Sequence, residues 1–146
     1  MARLSEKSLL AVAAVVDVAL HARGQPVAAK ALAERHGLPP RHLEPVLQAL
    51  VHAGILKGVR GPRGGYELAR ERRRITVAEI VRIAEAANEE TPQLVPPIVG
   101  KVIAPAVAEA EASFETALSG VTIDRLCQNA ERSGLTERAL GPDFNI

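Results

Sequence analysis

The stretch "LEPVLQALVHAGILKGVRGPRGGYELAR", residues 43–70, decides the fold class predicted for this chain. Its first part predicts a helix ending near residues 53–54, because four apolar side chains recur at helical spacing: Leu43, Val46, Leu47 and Leu50. Two strand-like runs follow at 55–60 and 66–69. The "GPRGG" between them supplies the glycines and the proline that a tight turn needs. A helix followed at once by a β-hairpin is therefore predicted.

Two further helices are predicted upstream of this stretch. Residues 5–23 carry apolar side chains at helical spacing and more of them on other sides, which predicts a central helix covered on several faces. "AAKALAERHG", residues 28–37, predicts a short helix ended by Gly37. This helix and the next, joined by "GLPP", are typical of a helix-turn-helix, although an αα-hairpin with no nucleic-acid role shows the same pattern. With the hairpin added, the element order is that of a winged helix-turn-helix.

The C-terminal part predicts a linker between further helices. "TVAE", residues 76–79, is a capping box that opens a helix. Residues 87–104 contain three prolines and one glycine and predict a loop or linker. Pro105 then suits a first helical turn. The helix after it carries a narrow apolar seam, favoured as a homodimer contact over a core element: Val107, Ala110, Phe114 and Ala117. A last short helix is predicted after Thr122.

The predicted fold class is therefore mainly α with a small β-hairpin wing. Residues 1–86 are expected to form a winged helix-turn-helix DNA-binding domain, and 87–104 a linker loop. Residues 105–131 are expected to form the dimerisation helix and the short helix after it, followed by a tail over 132–146.

The formal net charge of +1 hides a strong asymmetry along the 146 residues. The first 75 residues hold thirteen Lys or Arg against six Asp or Glu, whereas the remainder holds five against eleven. This division indicates a first half that binds a polyanion. The alternative is that the charges only solubilise two faces.

Composition and motifs also exclude several classes of function. The single cysteine, Cys127, allows no intramolecular disulfide and no multi-cysteine metal site built from this chain alone, and the four histidines lack metal-ligand spacing, so no metal or cofactor is expected. At helical spacing from Ile123, Cys127 is interpreted as a packing residue, with a redox role as the alternative.

"GPRGG" lacks the Lys-Ser/Thr pair of a nucleotide-binding loop, and no acid, base and nucleophile converge, so no enzyme is predicted. No apolar run is long enough for a bilayer and no signal peptide is recognised, which favours the cytoplasm.

Double-stranded DNA is the polyanion that the residue pattern favours. Opposite the apolar stripe of the third helix lie four polar side chains with the chemistry of major-groove reading: Arg41, Glu44, Gln48 and His52. Pro45 is expected to remove a hydrogen bond and kink this helix unless it lies in the first turn. In the hairpin, Arg60 and Arg63 can grip phosphates or enter a minor groove. Three glycines of the hairpin would let its backbone approach the DNA closely: Gly61, Gly64 and Gly65. Further cations are candidates for sequence-independent phosphate contacts: Lys7, Lys30, Lys57, Arg72, Arg73 and Arg74. For the three arginines, a solvated turn is the alternative.

The stretch at 43–70, followed by "ITVAEIV", closely resembles the Rrf2 (IscR/NsrR-type) family of bacterial winged-helix transcriptional regulators. Shared features are the Leu-Glu of the recognition helix, the Ala-Gly before the first wing strand, R-G-x-x-G-G-Y in the wing and the Ile-Thr before the next helix. The resemblance is strong over 3–86 and weak over 105–127. It implies that Glu44 reads a base and that Arg60 contacts DNA from the wing. It also implies adjoining reading positions and wing glycines: Arg41 and His42, Gly64 and Gly65.

One departure from the family pattern limits what the resemblance implies. Cluster-binding members carry three cysteines in the loop before the dimer helix, whereas residues 87–104 hold neither Cys nor His. The predicted function is therefore a cluster-free homodimeric regulator, of the repressor type, on a pseudo-palindromic operator. Its input is left open among a partner protein, a small ligand in the linker region and oxidation of Cys127. The alternative function is a winged-helix protein-interaction module that does not bind DNA specifically.

Overall fold

The computed structural model describes residues 4–87 and 96–134. Within them the chain forms six α-helices and one two-stranded antiparallel hairpin, which confirms the predicted fold class. In chain order the elements are α1 (Glu6–His21), α2 (Ala29–Arg35), α3 (Pro40–His52), β1 (Leu56–Val59), β2 (Gly65–Leu68), α4 (Val77–Ala87), α5 (Ala104–Ser119) and α6 (Ile123–Arg132). None of the helices in these two described segments is long and apolar enough to span a bilayer.

Helix α1 lies at the centre of the molecule, as its apolar pattern predicts. It packs against α2, α3, α4, α6 and β2, and Ala14, Val15 and Val18 are completely buried. The core around it is aliphatic, with buried leucines and isoleucines supplied by the surrounding elements: Leu32, Leu43, Leu47, Leu50, Ile55, Ile75, Ile80 and Ile123. Burial of each such side chain stabilises the folded state by roughly 1.5–3 kcal/mol relative to leaving it in water. This core joins the helix-turn-helix and the hairpin into one body.

The helix-turn-helix consists of α2, a short turn and α3. Gly37 takes a positive φ of 64° at the end of α2, and the Leu38 N–H donates to the Ala33 carbonyl at 2.9 Å. Pro40 begins α3, where the missing N–H is not needed. Helix α3 continues through Pro45, which lies on the exposed side, so the carbonyl of Arg41 loses its helical donor where water can replace it.

Besides its apolar packing on the body, the hairpin pairs through its backbone with one residue before α2. Strands β1 and β2 pair from Leu56 opposite Leu68 to Val59 opposite Gly65. The Val27 N–H donates to the Tyr66 carbonyl at 2.9 Å, and the Tyr66 N–H donates to the Val27 carbonyl at 2.8 Å. The segment before the helix-turn-helix therefore pairs with the second wing strand.

Helix α4 begins with the predicted capping box. The Glu79 N–H donates to Thr76 Oγ1 at 3.2 Å, and the Thr76 N–H donates to the Glu79 carboxylate at 3.1 Å. At the other end of α4, Glu85 accepts hydrogen bonds from the hydroxyls of Ser5, which caps α1, and of the buried Ser8. The start of α1 is thus tied to the end of α4.

Two features differ from the predicted domain bounds. Helix α6 packs on α1, and backbone hydrogen bonds join Val77 to Val121 and Ile123 to Ile75, so α6 belongs to the winged-helix body rather than to a separate C-terminal unit. The expected linker also differs, because Ala87 ends α4 and a π-helix, Val99–Ile103, leads directly into α5. Pro97 begins this helical segment, at the position where a proline costs no hydrogen bond. Residues 88–95 of the linker, and residues 135–146 of the tail predicted over 132–146, lie outside the described residues.

Candidate nucleic-acid interface

Helix α3 presents one polar face to solvent. Leu43, Leu47 and Leu50 are buried against the core, and the side chains predicted to read bases are all exposed: Arg41, His42, Glu44 and Gln48. Positions 41, 44 and 48 are three and seven residues apart, so they follow one side of the helix, and His52 continues this row. His42 lies about a third of a turn away from it. The helix therefore displays cationic, anionic and amide groups in a single row.

A groove adjoins the first turn of α3. It has a volume of about 690 Å³ and lies between the N-terminal part of α1 and the N-terminal part of α3. Lys7, Arg41 and His42 line it together with Leu9, whose side chain is 54% exposed. The structure thus brings Lys7 beside two of the predicted base-reading residues. Lys30 is exposed on α2, outside this groove.

The wing tip is exposed and cationic. Arg60 and Arg63 both lie on the solvent side of the turn. Gly64 is required there, because a Cβ on it would lie 2.2 Å from the Val59 carbonyl oxygen. Lys57 lies lower on β1 and is 3.6 Å from Glu67, so part of its charge is already compensated.

Two of the arginines after the wing pair with acidic side chains of the fold. Arg70 donates to Glu79 at 3.0 Å, and Arg72 donates to Asp124 on α6 at 2.9 Å. Arg74 is 3.8 Å from Glu71 in an exposed pair. Arg72 is half-buried and joins α6 to the body, so the interpretation of this run as a row of phosphate contacts has no geometric support at Arg72.

A buried charge cluster lies behind the helix-turn-helix, and it was not predicted. Asp17 on α1 is 0% exposed and accepts two hydrogen bonds from Arg35, at 2.8 and 2.7 Å. His36 Nε2 lies 3.1 Å from the same carboxylate, and His21 Nδ1 lies 2.9 Å from the Asp17 carbonyl oxygen. Burial would raise the pKa of Asp17, but the hydrogen bonds from Arg35, His21 and His36 outweigh it and hold that pKa well below its usual range. The signal in the sequence was an Asp inside an apolar run.

The predicted dimer seam on α5 divides into two parts. No residue of α5 is buried, and Val107, Ala110 and Ala117 are exposed. Phe114 is half-buried and lines a cavity of about 370 Å³ between α4 and α5. The larger exposed apolar residues lie before this seam and were not predicted: Ile98, Val102 and Ile103, which are 63%, 61% and 48% exposed.

Comparison with known proteins identifies the family. A family model described as "Rrf2: Iron-dependent Transcriptional regulator" matches residues 4–129. The chain belongs to the Rrf2 family. Among solved Rrf2-like structures, T. potens IscR superposes with a TM-score of 0.72 and 34% identity over 90% of each chain. CymR of B. subtilis superposes with a TM-score of 0.67 over 88% of this chain and 98% of its own, at 24% identity, which supports the fold alone.

Sequence similarity to curated relatives covers about three fifths of this Rrf2 chain. The HTH-type transcriptional regulator IscR of Xenorhabdus nematophila is 39% identical over 89 residues, which are 61% of this chain and 54% of that protein. The matched segments span between 51% and 62% of the length of the first three curated relatives.

An iron–sulfur cluster does not fit the residues of this Rrf2 chain. Such clusters need several thiolate ligands, and the single Cys127 is 0% exposed within the core. Burial raises the pKa of its thiol, which disfavours the thiolate needed for both metal binding and oxidation. In the described parts of the chain, no group of three His, Cys, Asp or Glu side chains is placed to hold a metal ion. The packing role predicted for Cys127 agrees with this position, whereas a disulfide between dimer mates does not.

Proposed function

We propose that this Rrf2 chain is a sequence-specific DNA-binding transcription regulator that needs no iron–sulfur cluster. The observation that carries the proposal is the exposed row on α3, where Arg41, Glu44 and Gln48 follow one side of a helix whose other side is buried. Arg pairs with guanine, Gln with adenine, and a carboxylate accepts from the cytosine amino group. In winged helix-turn-helix geometry, α3 enters the major groove and the wing lies against the adjacent backbone or minor groove.

The phosphate-contacting part of the proposal rests on the wing and on the start of α1. Arg60 and Arg63 extend from the turn of the wing. Because the glycines of this turn have no Cβ, its backbone N–H groups can approach the sugar-phosphate chain of DNA closely. Lys7, beside the start of α3, adds a cation on the other side of the reading helix. Gly64 and Gly65 act by shaping the wing, since the backbone crowds both of them. Lys30 is assigned a peripheral, salt-sensitive contact.

The protein acts as a homodimer in this proposal. Helix α5 has no buried residue, and the apolar row before it is open to solvent at Ile98, Val102 and Ile103. Exposed aliphatic side chains of this kind are covered by a partner in stable proteins, and a two-fold dimer covers identical surfaces. The contact continues along α5 at Val107, Ala110 and Ala117. Phe114 is also on α5 and borders this contact where α5 faces α4. Two modules related by two-fold symmetry read a pseudo-palindromic operator.

The biological role proposed is repression in the cytoplasm, by occupation of operator DNA. The input that releases the protein is a partner protein or a small ligand. Oxidation of Cys127 is the least supported input, because the thiol is fully buried.

Selection of genomic fragments by the purified protein, followed by binding assays on the selected operator, tests this proposal. Specific binding with a steep salt dependence is expected, and absence of binding at low salt would favour the protein-interaction module instead. Glu44→Ala should relax specificity at one base position by roughly 1–3 kcal/mol, while Arg60→Ala should weaken operator and random duplex alike. Arg132→Ala, an equal change of charge on α6, is the matched control and should leave both affinities unchanged.

A further inference from the structure

The buried cluster around Asp17 has a geometry that core stability alone does not require. A carboxylate that loses water entirely is unfavourable unless it is paired and fully hydrogen-bonded, and such pairs can often be replaced by apolar residues without loss of stability. Asp17 is nevertheless completely buried beside aliphatic core residues of α1 such as Ala14 and Val18. What a paired, bidentate contact adds over apolar packing is direction.

The partners of Asp17 belong to the turn of the helix-turn-helix. Arg35 is the last residue of α2, and His36 is its C-cap. Leu38 follows within the turn, and Pro39 is the N-cap of α3. Two of the three cluster partners therefore lie immediately before the chain turns into the helix that is proposed to read DNA.

The contact between α1 and α2 is directional only at this point. In the described residues, the side-chain hydrogen bonds that join α1 to α2 all end on Asp17. The Arg35 guanidinium donates from Nε and from a terminal nitrogen to the two carboxylate oxygens, so it defines both a distance and an orientation. The buried side chains of α2, Leu32 and Ala33, are apolar and make no directional side-chain hydrogen bond.

We propose that Asp17, Arg35 and His36 form a positioning node that sets the angle at which the turn presents α3 to DNA, although none of them touches DNA. The inference rests on the proposed function. Base reading depends on hydrogen-bond geometry, whereas phosphate contacts tolerate small displacements of the helix. Loss of the node therefore lowers affinity for the operator more than affinity for random duplex.

The experiment measures the ratio of the dissociation constants for random duplex and for the selected operator. It uses the full-length protein at a temperature where the melting curve shows every variant folded. Arg35→Lys keeps the charge and removes the two-pronged contact, and the ratio is expected to fall roughly tenfold, which corresponds to about 1.4 kcal/mol. Arg72→Lys makes the same change at the ion pair with Asp124 and should leave the ratio unchanged.

A second variant keeps the inference testable if Arg35→Lys does not fold. The double replacement Asp17→Leu/Arg35→Met fills the site with apolar groups, which should limit the loss of stability and still lower the ratio. A ratio equal to that of the wild type in a folded variant, with or without a lower Tm, would show a purely structural role and overturn the inference. If the wild type itself fails to distinguish operator from random duplex, the proposed function fails and the node with it.

Discussion

Replacing Gly65 with alanine should break the backbone pairing between the wing and the segment before α2. A Cβ at position 65 would lie 2.3 Å from the Val27 carbonyl oxygen, 2.5 Å from its carbon and 2.7 Å from the Ala28 nitrogen. All three are backbone atoms, so no flexible side chain can move aside. Val27 and β2 must separate instead, which breaks both hydrogen bonds between Val27 and Tyr66. At about 0.5–1.5 kcal/mol for each bond, the expected loss in the free energy of unfolding is roughly 1–3 kcal/mol.

Urea denaturation followed by circular dichroism measures this loss, and Gly58→Ala is its matched control. Gly58 of β1 lies opposite Tyr66 of β2, and a Cβ on Gly58 would meet nothing within 4 Å. The control should be neutral or slightly stabilising, because alanine restricts the unfolded chain more than glycine does. Equal stability of the two variants would refute the view that Gly65 is dictated by its contact with Val27.

Three further predictions concern pH, the cysteine and the dimer. The hydrogen bond to Asp17 raises the pKa of His21 above its ordinary 6.5. The contribution of protonated His21 to the free energy of unfolding is therefore complete below pH 6.5 and is lost as pH rises through the raised pKa. Urea melts over a pH series should show this loss of stability in the wild type and not in His21→Gln. Cys127→Ser should destabilise by about 1–3 kcal/mol in thermal melts, since it buries a hydroxyl, and should leave any response of DNA binding to peroxide unchanged. Val102→Glu should shift the protein from dimer to monomer in sedimentation velocity without lowering the monomer's helicity, and a persistent dimer would place the interface elsewhere.

Elements with local signals were predictable. The apolar spacing of α3 appears directly in burial of Leu43, Val46, Leu47 and Leu50. The capping box at Thr76 is a contact between residues three apart, so the two hydrogen bonds follow from sequence neighbours alone. The wing was predictable because glycine and proline favour turns whatever surrounds them.

Contacts between distant residues escaped the sequence. Asp17 and Arg35 are eighteen positions apart and meet only because α1 and α2 pack together. Likewise, the sequence presents Arg72 as one of three adjacent cations, and only the packing of α6 brings Asp124 beside it, fifty-two positions further along the chain. An Asp in an apolar run and an Arg in a basic run have the same appearance whether or not a partner folds against them.

By itself, the sequence determined the family, the order of helices and hairpin, and which face of α3 is polar, because these depend on periodicity, turn residues and motif spacing within short segments. Only the tertiary structure decided that α6 packs on α1, that Cys127 is sealed in the core, and that a buried carboxylate on α1 pairs with the last residue of α2. The physical reason is that burial and ion pairing depend on which surfaces meet. Those surfaces meet only when the aliphatic core around α1 forms, because burial of the whole core is needed to offset the conformational entropy lost on folding.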